Sequence, residues 1–200
     1  MPEATRPPEV EIVPANKATW DDLQAVFGAR GDPSRCWCQR FKMAPGESWA
    51  SVGASQLVRK QTHCGDAGAE TTTGLVAYLD REPVGWSAVE PRPAYPRMLR
   101  NNRVPWEGRS EDKSDGSVWA VTCFVVRTGF RRLGVASALA HASVDFARRR
   151  GARALEGYPM TMKEVLLGEL HVGTHGMLAA AGFAEVGRPS VRRAVMRIDF

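Results

Sequence analysis

The sequence predicts a single α/β domain in which a mixed, mostly antiparallel sheet of about six to seven strands is flanked by about four helices. Two observations lead to this prediction. Short apolar runs of strand length alternate along the chain with stretches whose apolar residues recur at helical spacing. The chain has 200 residues, of which 44% are hydrophobic, and this is ordinary for one globular domain.

The first half of the chain predicts three strands and two helices. VEIV at 10–13 fits a first strand, and Thr19 is a typical N-cap for a helix that Gly28 ends. A weaker pattern predicts a second helix over 46–63, although Gly53 lies inside it. The runs GLVAYL and VGWSAV around the turn DREP then predict a β-hairpin.

The second half begins with a polar, turn-rich segment at 96–117, which predicts a long loop. SVWAVTCFVV at 117–126 is the strongest strand pattern in the chain, and residues 133–150 form the strongest helix pattern, with Gly151 as its stop. ARALEGY predicts another strand, and a short helix over 174–181 precedes the last two strands, FAEV and AVMRI.

Composition limits the function classes without choosing one. Lys and Arg number 27 against 22 Asp and Glu, a net charge of +5 carried mostly by Arg, and charge alone does not identify a partner. The sequence contains no run of about 18 apolar residues, the length that a membrane-spanning helix needs. The N-terminus lacks the pattern of a secretory signal. We therefore expect a cytoplasmic protein with a mobile tail at 1–9 and one domain at 10–200.

The four cysteines are expected to be reduced thiols, because nothing in the sequence indicates secretion. Cys36, Cys38 and Cys64 with His63 offer four soft ligands, so a zinc site is an alternative, but its first pair is spaced too closely for a typical structural site. Buried thiols that pack as small apolar side chains explain these cysteines better than a zinc site. A third alternative is that they line an acceptor pocket. No metal is expected.

The stretch CFVVRTGFRRLGVASAL carries the strongest indication of chemistry. An apolar strand runs through a basic turn into a helix, whose free N–H groups and partial positive charge suit a phosphate ester. Gly134 and Ala136 would let a pyrophosphate approach the backbone, and Arg131 and Arg132 would add charge. The alternative is a plain strand-to-helix connection with solvated arginines. The turn fits neither a P-loop nor a dinucleotide fingerprint.

This stretch resembles the signature of the GNAT N-acetyltransferases, which is Arg/Gln-x-x-Gly-x-Gly/Ala. RRLGVA at 131–136 matches it, and the resemblance extends over the order of elements from 10 to 200 and to Gly182-Phe183. The chain also resembles a bacterial subgroup through Cys36-Trp37-Cys38, Val84-Gly85-Trp86, Pro91-Arg92, the run CFVV at 123–126 and the run EGYP at 156–159.

The resemblance implies acetyl transfer from acetyl-CoA to a primary amine of a small molecule or peptide in a direct ternary complex. It implies a central splay in the sheet that admits the thioester. The pantetheine arm would pair with the end of the fourth strand, and the signature turn would hold the pyrophosphate. The cofactor residues expected on this basis are Phe124, Val125, Val126, Arg131, Arg132, Leu133, Gly134, Val135, Ala136 and Ser137.

The acid and base of the family do not carry over to this chain. The fourth strand holds no carboxylate, and Leu178 stands where many members have a Tyr. Our candidates are Glu156 as base, Tyr158 as acid and Cys123. Further candidates are Glu90, His171 and His175, although paired histidines of this kind are more often surface groups.

The acceptor side is expected from residues 36–63 and from the loop at 96–117. We expect no DNA or membrane partner, and the sequence leaves a homodimer open. Two rival functions remain. One is a non-catalytic acyl-CoA-binding or thiol-based sensor module, which the missing acid and base would suit. The other is a tRNA-directed acetyltransferase that uses the arginines concentrated at 127–153 and 188–197.

Overall fold

The computed structural model describes residues 10–100, 103–162 and 166–200. The tail at 1–9, expected to be mobile, lies outside these residues. Within the described part of the chain, no helix is both long and apolar enough to cross a membrane.

Seven strands form one sheet in the order β1-β2-β3-β4-β5-β7-β6. β4 and β5 are parallel, and the other neighbouring pairs are antiparallel. This confirms the predicted fold class, a single α/β domain with a mixed, mostly antiparallel sheet. The strands are β1 (Val10–Pro14), β2 (Leu75–Leu79), β3 (Glu82–Pro91), β4 (Val118–Val126), β5 (Ala154–Gly157), β6 (Ala184–Ser190) and β7 (Arg193–Asp199).

The described residues form seven α-helical segments, which is more than the four expected. The predicted helix at 46–63 is two helices, because Gly53 takes a left-handed φ of 57° between them. α2 was not predicted, and α5 lies in the segment expected to be a loop. The helices are α1 (Trp20–Phe27), α2 (Gly31–Cys36), α3 (Trp49–Val52), α4 (Ala54–Thr62), α5 (Pro96–Arg100), α6 (Val135–Arg149) and α7 (His175–Ala180).

α1 begins as the sequence predicts, at a capping box. The Thr19 hydroxyl accepts a hydrogen bond from the Asp22 amide at 3.1 Å, and the Asp22 carboxylate accepts one from the Thr19 amide at 2.9 Å. Two N–H groups that the helix itself cannot satisfy are thereby paired. The cap fixes where α1 begins, and the helix ends at Gly28 as the sequence predicts.

The sheet has a hydrophobic core on each face. α6 packs on one face, where Leu139 and Phe146 contact residues of β2 to β5. α1 and α4 cover the other face, where Leu23 and Val58 lie beside the inward side chains Cys123 and Val125 of β4. A strand that is buried on both faces is expected to be mostly apolar, and eight of the nine residues of β4 are, with Thr122 as the exception.

β4 changes register and then parts from β5. Ala88 pairs with Cys123 but Val89 pairs with Val121, so Thr122 is an extra residue that bulges from the ladder. The parallel pairing of β4 with β5 ends at Val121 and Gly157, whereas β4 continues to Val126. The last part of β4 therefore has one edge that β5 does not cover, and this gap is the splay that the resemblance implied.

We expect Gly85→Ala to destabilise the fold, because α6 lies very close to β3 at this residue. A Cβ at Gly85 would meet Val135 Cγ1 at 2.8 Å and Leu139 Cδ1 at 3.1 Å. Overpacking of this kind costs about 1 to 3 kcal/mol of unfolding free energy, measurable by urea denaturation. Gly187→Ala is the matched control, because its nearest heavy atom is 3.9 Å away. Equal stability of the two variants would contradict the packing.

Candidate active site

A cleft of about 1070 Å³ opens where β4 and β5 part. One wall is the free end of β4 with the turn into α6, and the opposite wall is the 3-10 helix Leu167–Val172 with the start of α7. The end of α1 and the region of α2 close the remaining side. Its lining includes Phe27, Asp32, Cys36, Cys38, Arg40, Phe41, Cys123–Val126, Arg131, Arg132, Gly134–Ser137, His171, Thr174 and Met177.

The N-terminus of α6 points its free amides at one end of this cleft. Gly134 is the N-cap and no side chain caps the helix there. The Ala138 amide donates to the Gly134 carbonyl at 2.9 Å, so the amides of Val135, Ala136 and Ser137 come before the first intrahelical bond. Free amides and the positive end of the helix dipole together make an anion site.

Two arginines stand beside these amides. Arg131 and Arg132 both line the cleft, and Arg132 takes a left-handed φ of 64° in the turn. The Arg131 Nε donates to the Val126 carbonyl at 3.4 Å, which ties the turn to the end of β4. Arg127, in contrast, pairs with Glu82 at 2.7 Å and holds β4 to β3. Among the arginines of the turn between β4 and α6, Arg131 and Arg132 are therefore best placed to neutralise an anion bound at the N-terminus of α6.

Nine of the ten predicted cofactor residues line the cleft. Leu133 does not, and its side chain is 49% exposed. The unpaired edge of β4 and the anion site at α6 are thus two ends of one cleft. They can hold an extended molecule that carries phosphates at one end.

Glu156 and Tyr158, the predicted base and acid, do not line this cleft. Glu156 is completely buried, and its carboxylate contacts the guanidinium groups of Arg92 at 3.5 Å, Arg197 at 3.0 Å and Arg109. The Tyr158 hydroxyl donates to Glu156 at 2.8 Å, and burial raises the pKa of Tyr158 well above its usual value. Three guanidinium groups and the Tyr158 hydroxyl contact the oxygens of this carboxylate, so this environment suits a structural role.

We call Glu156 and the groups around it (Arg92, Arg109, Tyr158 and Arg197) the Glu156 cluster. The segment at 96–117, expected on the acceptor side, covers this cluster instead. Trp106 is buried and stacks with the cations of Arg92 and Arg109 at 4.9 and 5.5 Å. Glu111 adds a second carboxylate, 2.8 Å from Arg92. No described residue of 96–117 lines the cleft.

The expectation that all four cysteines are reduced is wrong for two of them. Cys38 and Cys123 form a disulfide that joins the loop after α2 to β4. Cys36 and Cys64 are free, and burial raises the pKa of the Cys36 thiol. Spacing along the chain did not indicate this pairing because the partners are 85 residues apart. Among the described residues, no three His, Cys, Asp or Glu side chains group as metal ligands would.

His171 lies in the cleft wall and stacks on Phe41, with 6.3 Å between ring centroids. Its Nδ1 is 2.8 Å from the Gly168 carbonyl oxygen. Since a carbonyl only accepts, Nδ1 carries the proton and Nε2 carries the lone pair of the neutral ring. Nε2 is buried and has no hydrogen-bond partner among the described residues.

The surroundings of His171 favour its neutral form. Burial lowers the pKa of the ring, and the positive charges of Arg40 and Arg193 act in the same direction. The Gly168 carbonyl and Asp32 oppose this shift, but the net direction is downward. At neutral pH the ring is therefore a base with an available lone pair.

The other candidates from the sequence are occupied elsewhere. Glu90 is buried against Lys42, and burial raises the pKa of this carboxyl. His175 pairs with Glu185 at 2.9 Å and does not line the cleft. Of the bases considered from the sequence, His171 is the one that lies in the cleft.

Comparison with known families identifies the class of protein to which this fold belongs. The family model described as the acetyltransferase (GNAT) family matches residues 36–158, more than half of the chain. The chain therefore belongs to the GNAT family of acetyltransferases. A comparison with curated proteins finds no significant match.

Solved structures share the fold at low sequence identity. A protein described as a GNAT-family acetyltransferase from Desulfovibrio desulfuricans is 16% identical, with a TM-score of 0.51 over 96% of this chain and 99% of that one. An N-acetyltransferase from Staphylococcus aureus Mu50 is 12% identical, with a TM-score of 0.50 over 96% and 98% of the two chains. These similarities establish the fold, whereas the C-x-C subgroup stays a prediction.

We expect Glu156→Gln to act on stability. The change removes the fully buried carboxylate that Arg92, Arg109 and Arg197 share, and it leaves these guanidinium groups with the partly exposed Glu111. Removing one partner of a buried ion pair costs about 3 to 5 kcal/mol of unfolding free energy, and because Glu111 remains we expect about 3 kcal/mol. Asp145→Asn, in an exposed pair with Arg148, is the control and should change stability by less than about 0.5 kcal/mol.

Chemical denaturation of both variants measures the difference. Glu156→Gln with the stability of Asp145→Asn but greatly reduced turnover would contradict the structural role and return Glu156 to the list of bases.

Proposed function

We propose that this protein transfers the acetyl group of acetyl-CoA to a primary amine of a small molecule or peptide. One observation carries the proposal: the uncovered edge of β4 leads directly to the uncapped N-terminus of α6 within one cleft. An extended chain with amide groups can pair along a free strand edge. A pyrophosphate can bind at a helix N-terminus. CoA carries both features in this order.

The pantetheine arm would lie along Phe124, Val125 and Val126, where β5 no longer pairs with β4. The pyrophosphate would accept hydrogen bonds from the amides at the start of α6 and from Arg131 and Arg132. The thioester would then lie at the deep end of the cleft, near the Thr122 bulge. Backbone amides of β4 near this point would stabilise the charge that develops on the thioester oxygen.

In the reaction, the amine nitrogen attacks the thioester carbonyl carbon, the C–N bond forms and the C–S bond breaks. The amine must lose a proton, and CoA leaves as a thiolate that takes a proton from solvent. We assign the base to His171. A buried nitrogen without a partner is rare, and an amine N–H or a water in the cleft would satisfy its Nε2. The low pKa of the ring keeps the base unprotonated at neutral pH.

The direct test is an acceptor screen with a thiol-detecting reagent, run beside calorimetric titration with acetyl-CoA. We expect one-to-one binding of acetyl-CoA and thiol release that depends on the added amine. Mass spectrometry of the amine should show one added acetyl group. Binding without release for any amine would favour a ligand-binding module instead. Neither heat nor a melting shift with acetyl-CoA would overturn the proposal.

The double variant R131Q/R132Q should weaken acetyl-CoA binding. Hydrogen bonds to charged groups contribute about 1.5 to 3 kcal/mol, so we expect Kd to rise about 10-fold or more. The effect should shrink at high salt, because salt screens exposed charges. R148Q/R149Q, at the other end of α6, is the control with the same change in net charge. Equal affinity of both variants for acetyl-CoA would remove the arginines from the site.

The pH profile of the reaction should report His171. With the amine saturating at each pH, kcat should fall as pH drops through a pKa below the ordinary value of about 6.5, because protonation of His171 removes the lone pair. His171→Gln should lower kcat about 100-fold or more, leave the Kd of acetyl-CoA unchanged and abolish this acidic limb.

His175→Gln is the matched control, since His175 lies outside the cleft. The control should keep both the rate and the pH profile of the parent protein. A merely structural role for His171 would change stability or Kd and leave the acidic limb in place.

A further inference from the structure

A disulfide lies in the wall of the cleft that the proposed function assigns to an acyl thioester. Cys38 and Cys123 both line the cleft, and so does the free thiol of Cys36. Cys123 follows the bulged residue Thr122 and precedes Phe124 on β4. The disulfide therefore stands at the deep end of the cleft, opposite the anion site at α6.

The order of groups in CoA brings its sulfur to this disulfide. With the pyrophosphate at the start of α6, the pantetheine arm runs backwards along β4 from Val126 towards Cys123. Because the sulfur ends this arm, it reaches the Cys123 end of the free edge. After acetyl transfer this sulfur is a thiol, and a thiolate is the group that attacks disulfides.

We propose that the Cys38–Cys123 disulfide exchanges with the thiol of CoA, which makes Cys123 a site of covalent modification by CoA. The inference rests on the proposed function. The CoA thiolate attacks the sulfur of Cys123, a new S–S bond joins CoA to Cys123, and Cys38 leaves as a thiolate that takes a proton from solvent. One disulfide replaces another, so no further oxidant or reductant is needed.

The two partners differ in a way that directs the attack to Cys123. Cys123 is held in the central strand β4, because its backbone pairs with Ala88 of β3 and its side chain packs in the core. Cys38 lies in the loop after α2, where Trp37 and Cys38 take left-handed φ values of 43° and 56°. The loop can withdraw Cys38 more readily than the sheet can release Cys123.

The modification would switch off transfer in response to the product. CoA bound to Cys123 would occupy the place of acetyl-CoA, and acetyl-CoA itself cannot exchange because its sulfur is acylated. A high ratio of free CoA to acetyl-CoA would thus favour the blocked form, and a low ratio would protect the active form.

The test follows the mass of the intact protein during incubation with about 10 µM reduced CoA or the same concentration of glutathione at one pH. A bound thiol has an effective concentration in the millimolar range, so CoA should react about 100-fold faster than glutathione. Saturating acetyl-CoA should suppress the reaction with CoA. Peptide mapping should find Cys38 joined to Cys123 before the reaction and CoA on Cys123 after it.

Two variants separate the outcomes. Cys64→Ser, which alters a cysteine outside the cleft, should exchange as the parent does, and Cys38→Ser, which has no disulfide, should not form the CoA adduct with reduced CoA. Equal rates for CoA and glutathione, no protection by acetyl-CoA, or free Cys38 and Cys123 thiols in the oxidised protein would each overturn the inference. If acetyl-CoA still binds and is turned over, the proposed function survives that result. If acetyl-CoA does not bind, both fail.

Discussion

The structure depends on the point at which β4 and β5 stop pairing. Four residues on each strand form the parallel ladder, which ends at Val121 and Gly157. Beyond it β4 continues, and a Cβ on Gly157 would meet Leu178 Cδ1 of α7 at 2.5 Å, so β5 and α7 pack without space for a side chain there. This parting exposes backbone groups of a central strand to a cleft. Backbone N–H and C=O groups need hydrogen-bond partners, and the pantetheine amides of the proposed cofactor would supply them.

Ion pairs anchor the short strand β5 on the face opposite α6. There the Glu156 carboxylate contacts the guanidinium groups of Arg92, Arg109 and Arg197, and Glu111 contacts the same three groups. Arg109 comes from the segment at 96–117, and Arg197 comes from β7. The carboxylate that the sequence offered as a base is thus the residue that ties β5 to its surroundings. In the proposed function, the base is instead on the other wall of the cleft, where His171 lies.

The sequence predicted the fold well because its elements have clear periodicity. All seven strands were anticipated, and Thr19, Gly151 and the pattern of α6 marked helix ends that depend on local contacts. The candidate anion site was also visible in the sequence, since a strand, a basic turn and a helix are adjacent there. The disulfide and the Glu156 cluster were not predictable, because they join residues 41 to 85 positions apart. His171 was named, but only its contact with Gly168 and its place in the cleft distinguish it from His175.

The proposed function places CoA along β4 in one cleft, with its pyrophosphate at α6. A crystal structure of the protein with acetyl-CoA is the decisive experiment. We expect the pantetheine amides to pair with the backbone at residues 124–126 and the pyrophosphate to lie within hydrogen-bond distance of the amides at 135–137. We also expect the thioester beside Cys123, with His171 facing the carbonyl carbon from the other wall. Acetyl-CoA bound elsewhere, or with its phosphates away from α6, would contradict it.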